Sequence, residues 1–536
     1  MIGASRARLV TPESRHRSIT LERGRAETGR ASTLACLILL VVGCGDSRSR
    51  RADPLPLDLS VVRSAARRAL GQSAFDRIQH GVALEGTVTG YLGQSGRFTW
   101  CFASDGRFSR TTGCAVDLAE GFDGRLAWTI DASGMPSFLE LDSLDIARVL
   151  HGVLTRRWLD PESSLECAID RQQSSDQEIA IEVFPREGSL GGHLYLDRRS
   201  ALPKKLQLGK VYSFLDYRRK HGMTWPTRIE GDLEGETTVW QVETIRPLAP
   251  TSDAFRAKPR IERPRPFAGA ALDELRELPD GRLLARPRID DRDVGWFLFD
   301  TGAFRTCVFG STAAALELST VGRQSQQGVG GTFDGRLFRG KSFRLGPVSF
   351  ERPVFGELSA DDVGRTDSTV PVVGLCGIEV LHRSVMVLDL RAPRIELHDP
   401  ASFTVDADWQ PLIVDKGRLH VQVRFPEQSG LFDLDTGFDG SVIFTDPEAT
   451  GFACFRGREK VPRSVAGLGG SRKVLRTSIE WIELGGRRQR DVSTLVVRSG
   501  DAPFDVSSVL GTIGAGLMRR FRVVIDVPRR RIAFLD

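Results

Sequence analysis

The sequence predicts a mainly β protein, with an N-terminal antiparallel β-sheet domain followed by two similar β lobes related by a pseudo-twofold axis. Three observations carry that expectation. From about residue 82 to 247 the chain runs in short alternating apolar and polar segments, broken by turn pairs such as Asp105-Gly106 and Asp123-Gly124. Its 55 Gly and 26 Pro suit many turns and short strands. From about residue 267 onward the chain repeats itself, and two repeats are too few for a solenoid.

Taken in chain order, the first element is a leader over residues 1–43. It holds seven Arg against three Glu, a net of +4, so most of the overall +5 lies there and about +1 is left afterwards. Such a balance does not point to nucleic acid. The apolar run from Leu34 to Val42 is short for a membrane span and reads as the core of a signal peptide. Val41-Val42-Gly43-Cys44 resembles a bacterial lipobox, which implies cleavage before Cys44 and a lipid on that cysteine. Gly45, where an Asp would act as a retention signal, favours the outer membrane and a periplasm-facing location. An ordinary signal peptide or a short anchor is the alternative.

Residues 44–56 read as a polar tether and 57–80 as a helical pattern, with Leu57, Leu59, Val61, Val62, Ala65, Ala66, Ala69 and Leu70 on one broad face. The β-rich N-terminal domain is placed at 57–247. Within it, His193–Arg198 and Ser213–Arg218 look alike, as successive strands of a meander would. With Gly121-Phe122-Asp123-Gly124 and Trp128, this region resembles bacterial periplasmic domains of the lipoprotein-carrier type. That resemblance implies a curved sheet around an apolar cavity. A β-rich spacer is the plainer reading. Residues 248–266, with Pro250, Pro259, Pro264 and Pro266 among Arg and Ser, read as a semi-rigid linker.

Beyond Cys36 and Cys44, six cysteines are left: Cys101, Cys114, Cys167, Cys307, Cys376 and Cys454. Export permits disulfides, and Cys101 and Cys114 could close a hairpin; buried thiols are the alternative. Without a CxxC or a Cys/His cluster, neither a metal site nor a cofactor is expected.

The two lobes are placed at 267–400 and 401–536. Asp300-Thr301-Gly302 ends the apolar run WFLF, and Asp435-Thr436-Gly437 follows LFDL, 135 residues on. Gly328-Val329-Gly330-Gly331 is matched 139 residues later by Gly467-Leu468-Gly469-Gly470. Val373-Gly374-Leu375-Cys376-Gly377 is matched 137 residues later by Leu510-Gly511-Thr512-Ile513-Gly514. At that same offset Val387-Leu388-Asp389 falls on Val524-Ile525-Asp526, whose aspartates read as structural. Two like halves that each deliver one carboxylate can build an aspartate dyad, in which the carboxyls hold one proton between them and activate a water.

These ordered markers resemble the retropepsin-like aspartic proteases, in the bacterial branch where two lobes occur on one chain. The resemblance covers residues 267–536. It implies a bilobal acid-protease pair of β-barrels, with Asp300 and Asp435 as the catalytic dyad and peptide or protein as substrate. It assigns Thr301 and Thr436 to a cross-lobe hydrogen-bond grip, with Gly302, Gly437, Gly374 and Gly511 supporting the dyad loops. Gly328, Gly330, Gly331, Gly467, Gly469 and Gly470 fall to the flaps. It further implies a monomer with intramolecular lobe pairing.

The second half departs from the family pattern. Ala303 follows the first motif but Phe438 follows the second, with Asp439 read as a turn residue. A ring there would narrow the site or shield the carboxylates. The rival reading is therefore a catalytically inactive peptide- or lipoprotein-binding protein. Gly511–Gly516 lacks the GxGxxG spacing of a dinucleotide loop, and neither GxSxG nor HExxH occurs. The leader is checked by metabolic labelling with a radiolabelled fatty acid. Wild type should carry label and Cys44→Ala should carry none; equal labelling of the two would overturn the lipid-anchor reading.

Overall fold

The computed structural model describes residues 54–78, 80–130, 134, 136–233, 236–249, 253–257, 271–328, 331–358, 370–445, 452–467, 469–497 and 508–536. The leader, Cys44 and Gly330 lie outside the described residues. No described helix is long and apolar enough to cross a membrane.

Helix α1 (Leu59–Leu70) starts where the Asp58 carboxylate accepts the Val61 N–H at 3.0 Å. It stops at Gly71, whose φ of 67° is left-handed, and a second short helix follows over Gln72–Asp76. The 57–80 pattern is thus two helices. Its buried face is also narrower than expected: Val62, Ala66 and Leu70 are buried at four-residue spacing, whereas Val61 is 40% exposed.

Thirteen antiparallel strands form the N-terminal sheet. The first six run in order towards one edge and the last seven return in order from the other edge. The sheet closes where Val82–Tyr91 pairs with Glu236–Pro247. The look-alike segments at 193–198 and 213–218 are alternate strands, because Pro203–Leu208 runs between and pairs with both. Helix α2 (Leu141–Leu154) links the two wings. Trp100, Trp158, Trp225 and Trp240 join one packed core with residues of both helices, each ring at most 2% exposed. Trp100 and Trp240 lie 5.2 Å apart centre to centre. These rings pack into one core, and a separate cleft of about 640 Å³ in the same domain is lined by Thr99, Cys101, Ser109, Trp128 and Leu248.

Cys101 and Cys114 carry thiols and do not close the hairpin. Strand pairing sets Cys101 opposite Ser109 and Gly113 opposite Arg97, which leaves Cys114 beside Gly96, about five rungs from Cys101. Five rungs is roughly 17 Å, beyond the reach of a disulfide. Within the linker segment, Leu248 and Phe255 are buried against Ala83 and Cys101, and the Trp128 indole donates to the Phe255 carbonyl at 3.0 Å. These linker residues therefore pack onto the N-terminal sheet.

The expected repeat is present strand for strand. In lobe 1 the relevant strands are β1 (Trp296–Phe299), β2 (Cys307–Phe309), β3 (Ser319–Gly328), β4 (Gly331–Arg339), β5 (Val372–Cys376) and β6 (Val385–Asp389). Lobe 2 repeats them as β7 (Gln428–Asp435), β8 (Val442–Phe444), β9 (Val461–Gly467), β10 (Gly470–Leu484), β11 (Val509–Gly514) and β12 (Arg522–Asp526). Each lobe has an eight-stranded sheet with its members in equivalent order. In each, the strand ending at the Asp-Thr-Gly runs parallel to the late Gly-containing strand, β1 to β5 and β7 to β11.

A five-stranded sheet joins the lobes through the antiparallel pair β6 and β12. Val387 there lies opposite Val524, its own counterpart in the repeat, so the pseudo-twofold axis passes between them. Asp389 and Asp526 are structural, as expected: each caps a tight turn, to Arg391 N–H at 2.9 Å and Arg529 N–H at 3.2 Å.

The N-terminal domain touches both lobes. Asp415 of lobe 2 accepts the Glu140 N–H at 3.0 Å and the Ser143 hydroxyl at 2.7 Å, while Arg530 pairs with Glu140. The Leu92 carbonyl accepts the Arg323 N–H of β3 at 2.9 Å, and Gln94 donates to the Val321 carbonyl.

Candidate active site

Asp300 follows β1, whose Phe297, Leu298 and Phe299 are buried. Its backbone N–H donates to the Cys376 carbonyl at 3.0 Å, which anchors the turn to β5. Asp435 ends β7 after buried Phe432 and Leu434, opposite Gly514 of β11. The buried apolar residues at the end of each strand therefore deliver both carboxyls to the lobe interface.

Thr301 and Thr436 tie the two turns together reciprocally. The Thr301 hydroxyl donates to the Leu434 carbonyl at 2.9 Å and accepts the Thr436 N–H at 3.0 Å. The Thr436 hydroxyl donates to the Phe299 carbonyl at 2.7 Å and accepts the Thr301 N–H at 3.0 Å. Both side chains are buried, so these bonds satisfy groups that have no water to turn to.

The glycines that follow set the spacing of the carboxyls. A Cβ on Gly302 would lie 2.5 Å from the Asp435 carboxyl carbon, and one on Gly437 would lie 2.6 Å from that of Asp300. Each carboxyl therefore rests against the partner loop, and the two share a hydrogen bond. Gly302 N–H donates to Asp300 and Gly437 N–H to Asp435, both at 2.8 Å. Gly374 and Gly511 lie behind the turns, where a Cβ would strike the rings of Phe297 and Phe432.

Burial pushes the carboxyl pKa values of both Asp300 and Asp435 up, and for Asp435 the charge of Asp300 adds to the rise. Two neighbours break the symmetry. The Arg282 guanidinium favours charge on Asp300, and Asp433 opposes charge on Asp435, while the one proton belongs to the pair as a unit. Arg282 is itself paired with Asp280 at 2.7 Å and donates to the Gly437 carbonyl at 3.3 Å. Asp433 sits between Arg418 at 3.0 Å and His420 at 2.7 Å.

Phe438 does not wall off the dyad. Its ring lies over Gly440 and Gly514, where a Cβ would come within 2.3 and 2.5 Å of it, and packs with Ile443, Val474 and Val497. Its backbone N–H donates to Asp435 at 3.1 Å.

The dyad lies on the floor of a cleft of about 1330 Å³, lined by both lobes and by Lys210, Val211 and Asp232 of the N-terminal domain. The flap glycines pair within each hairpin, Gly328 with Gly331 and Gly467 with Gly470. The hairpins meet tip to tip: a Cβ on Gly469 (φ 82°) would lie 2.4 Å from the Gly331 carbonyl oxygen. Only glycine permits that approach.

Arg282 and Glu379 are site residues that the sequence reading missed. Glu379 is buried behind the Asp300 loop and accepts the Thr306 N–H at 2.6 Å and its hydroxyl at 2.7 Å. Asp280-Gly281-Arg282 has the look of an ordinary turn, and Glu379 stands in no motif.

A family model described as aspartyl protease matches residues 285–379, which run through the Asp300 turn, the lobe 1 flap and β5. Lobe 2 lies outside the matched segment. No curated protein matches the chain by sequence. Among solved structures, a LolA superfamily protein from Nitrosomonas europaea is 17% identical, with a TM-score of 0.27. That match covers 35% of this chain and 97% of the other. A DUF1329 family protein from Desulfovibrio piger is 14% identical at a TM-score of 0.26, covering 38% and 97% respectively.

Two outcomes are expected. Thr301→Val and Thr436→Val each orphan a buried carbonyl and a buried N–H, so each should lower unfolding free energy by roughly 1–3 kcal/mol or more in denaturant titration. Serine at either position should restore most of the loss. The second concerns pH. A raised carboxyl pKa in the folded state adds stability below the ordinary carboxylate range that is lost as pH rises through the raised values. Asp435→Asn should therefore flatten the fall in melting temperature from about pH 4 to pH 7. A fall as steep as that of wild type would show that the pair carries no such burden.

Proposed function

We propose that the protein is an aspartic-type endopeptidase that hydrolyses peptide bonds with the Asp300/Asp435 dyad. The observation that carries this reading is the hydrogen-bonded pair of raised-pKa carboxyls, held face to face by the reciprocal threonines on the floor of a roofed cleft. The lobe 1 match to an aspartyl protease model supports it.

In the proposed reaction the ionised carboxylate takes a proton from a water lying between the two groups as the water oxygen attacks the scissile carbonyl carbon. The protonated partner donates to the carbonyl oxygen, giving a neutral tetrahedral diol with no covalent bond to the enzyme. Transfer of a proton to the amide nitrogen then lets the C–N bond break, and the dyad returns to its singly protonated state. Because the pair titrates as a unit, activity follows the singly protonated form and is centred at acidic to mildly acidic pH. The flaps exclude bulk water once substrate is seated. The lipid anchor read from Cys44 would hold a monomeric enzyme at the outer membrane, facing the periplasm.

Fluorogenic peptide libraries or casein at pH 4–7 test the chemistry. Asp300→Asn and Asp435→Asn should each lower kcat/KM by on the order of 10²–10⁴ or more relative to wild type. Equal turnover by all three proteins would exclude the dyad as the catalyst.

A further inference from the structure

The two flaps share a backbone plan but differ in charge. Between Val461 and Arg476 the lobe 2 hairpin holds Arg463, Arg472, Lys473 and Arg476 and no acidic residue. Its register sets Val461 opposite Arg476, Arg463 opposite Val474, and Val465 opposite Arg472. Side chains alternate along a strand and pair across it, so Arg463, Arg472 and Arg476 all share one face. That face is the underside of the flap. It carries Val474, buried against Phe438 and Ile443, and all three arginines line the cleft above the dyad. In lobe 1 the described flap residues lining the same cleft are Gln324, Ser325 and Thr332, all neutral.

Among the described residues that line the cleft, cations outnumber acids eight to six. Asp280 is engaged by Arg282, and Asp433 by Arg418 and His420. Asp232 faces the cleft beside Lys210, and Asp439 lies in the exposed turn after the second motif. Lys416 adds a further cation on the lobe 2 wall.

We propose that the lobe 2 flap is a specificity element that selects polypeptide substrates with Asp or Glu side chains on one side of the scissile bond. This deepens the endopeptidase reading and rests on it only for the cleavage step. An extended chain lying between the flaps and the dyad presents its side chains alternately up and down, and those directed at the lobe 2 flap meet guanidinium groups. Arginine suits this task because its fork can take a carboxylate through two parallel hydrogen bonds. Selection also has a repulsive half, since a Lys or Arg at the same place meets like charge.

The test uses peptides identical except for Glu, Gln or Lys at each position flanking the cleaved bond. Wild type should prefer Glu over Lys on one side by about tenfold or more in kcat/KM, and the preference should shrink as salt is raised from 50 to 500 mM, as expected of contacts open to screening. Arg463→Glu with Arg476→Glu should invert the ratio, and Arg463→Gln with Arg476→Gln should bring it near one. Circular dichroism and melting curves on these variants check that the fold is intact.

Binding of the same peptides to Asp300→Asn protein, read by fluorescence anisotropy, separates the two proposals. Tighter binding of Glu than of Lys peptides, with no cleavage by wild type, would sink the protease reading and leave the specificity reading standing. Cleavage or binding indifferent to charge, in wild type and both double variants alike, would overturn the specificity reading and leave the protease intact.

Discussion

Two carboxyl groups that share one hydrogen bond in a half-buried cleft repel each other once both are charged, and neither turn alone can hold them there. The reciprocal bonds of Thr301 and Thr436 supply the restraint. Each hydroxyl donates once and accepts once across the interface, which leaves no polar group at the grip without a partner. Each bond also reaches the backbone just before or within the opposite motif, so it fixes the end of the strand that carries the aspartate. Gly302 and Gly437 follow from this. With the strand ends locked, the space beside each turn is already filled by the other carboxyl.

The grip cannot set the lobe geometry by itself, because one contact point leaves rotation free. The pairing of β6 with β12 supplies a second point on the same axis, where Val387 meets its own repeat mate Val524. Threonines at one end and a two-stranded seam at the other define the line about which the lobes are related. A one-residue slip in the seam would turn its buried side chains to the opposite face. Both faces of the seam are buried but among different neighbours, Met386 and Leu388 in the main core and Val385 and Val387 with Val524, and that packing and the caps at Asp389 and Asp526 oppose such a slip.

Features that recur in the repeat were legible in the sequence because each is written in residue type. The Asp-Thr-Gly motifs, the flap glycines and the late Gly-containing strands all fall at near-constant offset, and those among the described residues sit at equivalent places in the two sheets. What escaped lies in pairing and in long-range contact. Gly71 reads as a mild interruption of an apolar face, yet its left-handed conformation ends a helix. Cys101 and Cys114 have hairpin-like spacing, but strand register sets them rungs apart. Glu379 and Arg282 reach the dyad loops from outside any motif. Phe438 looks obstructive until Gly440 and Gly514 are seen to receive its ring. Register and backbone space decide these cases, and neither is marked by composition.

The N-terminal domain has no catalytic motif, yet it bears on how the cleft works. Its hairpin end bonds to β3 of the lobe 1 flap through the Leu92 carbonyl and the Gln94 side-chain amide, both of which meet the flap's backbone and so pair with no residue type in the flap that could be read. Leu92 is buried there with Leu337 of the flap's second strand, so the base of that hairpin is fixed by packing as well as by hydrogen bonds. The tips touch at Gly331 and Gly469, so parting them would open the cleft from above. Any lobe 1 contribution to that opening must bend the hairpin beyond its braced base or break the bonds to Leu92 and Gln94. The N-terminal domain therefore acts on the cleft twice, as a wall through Lys210, Val211 and Asp232 and as a restraint on one flap.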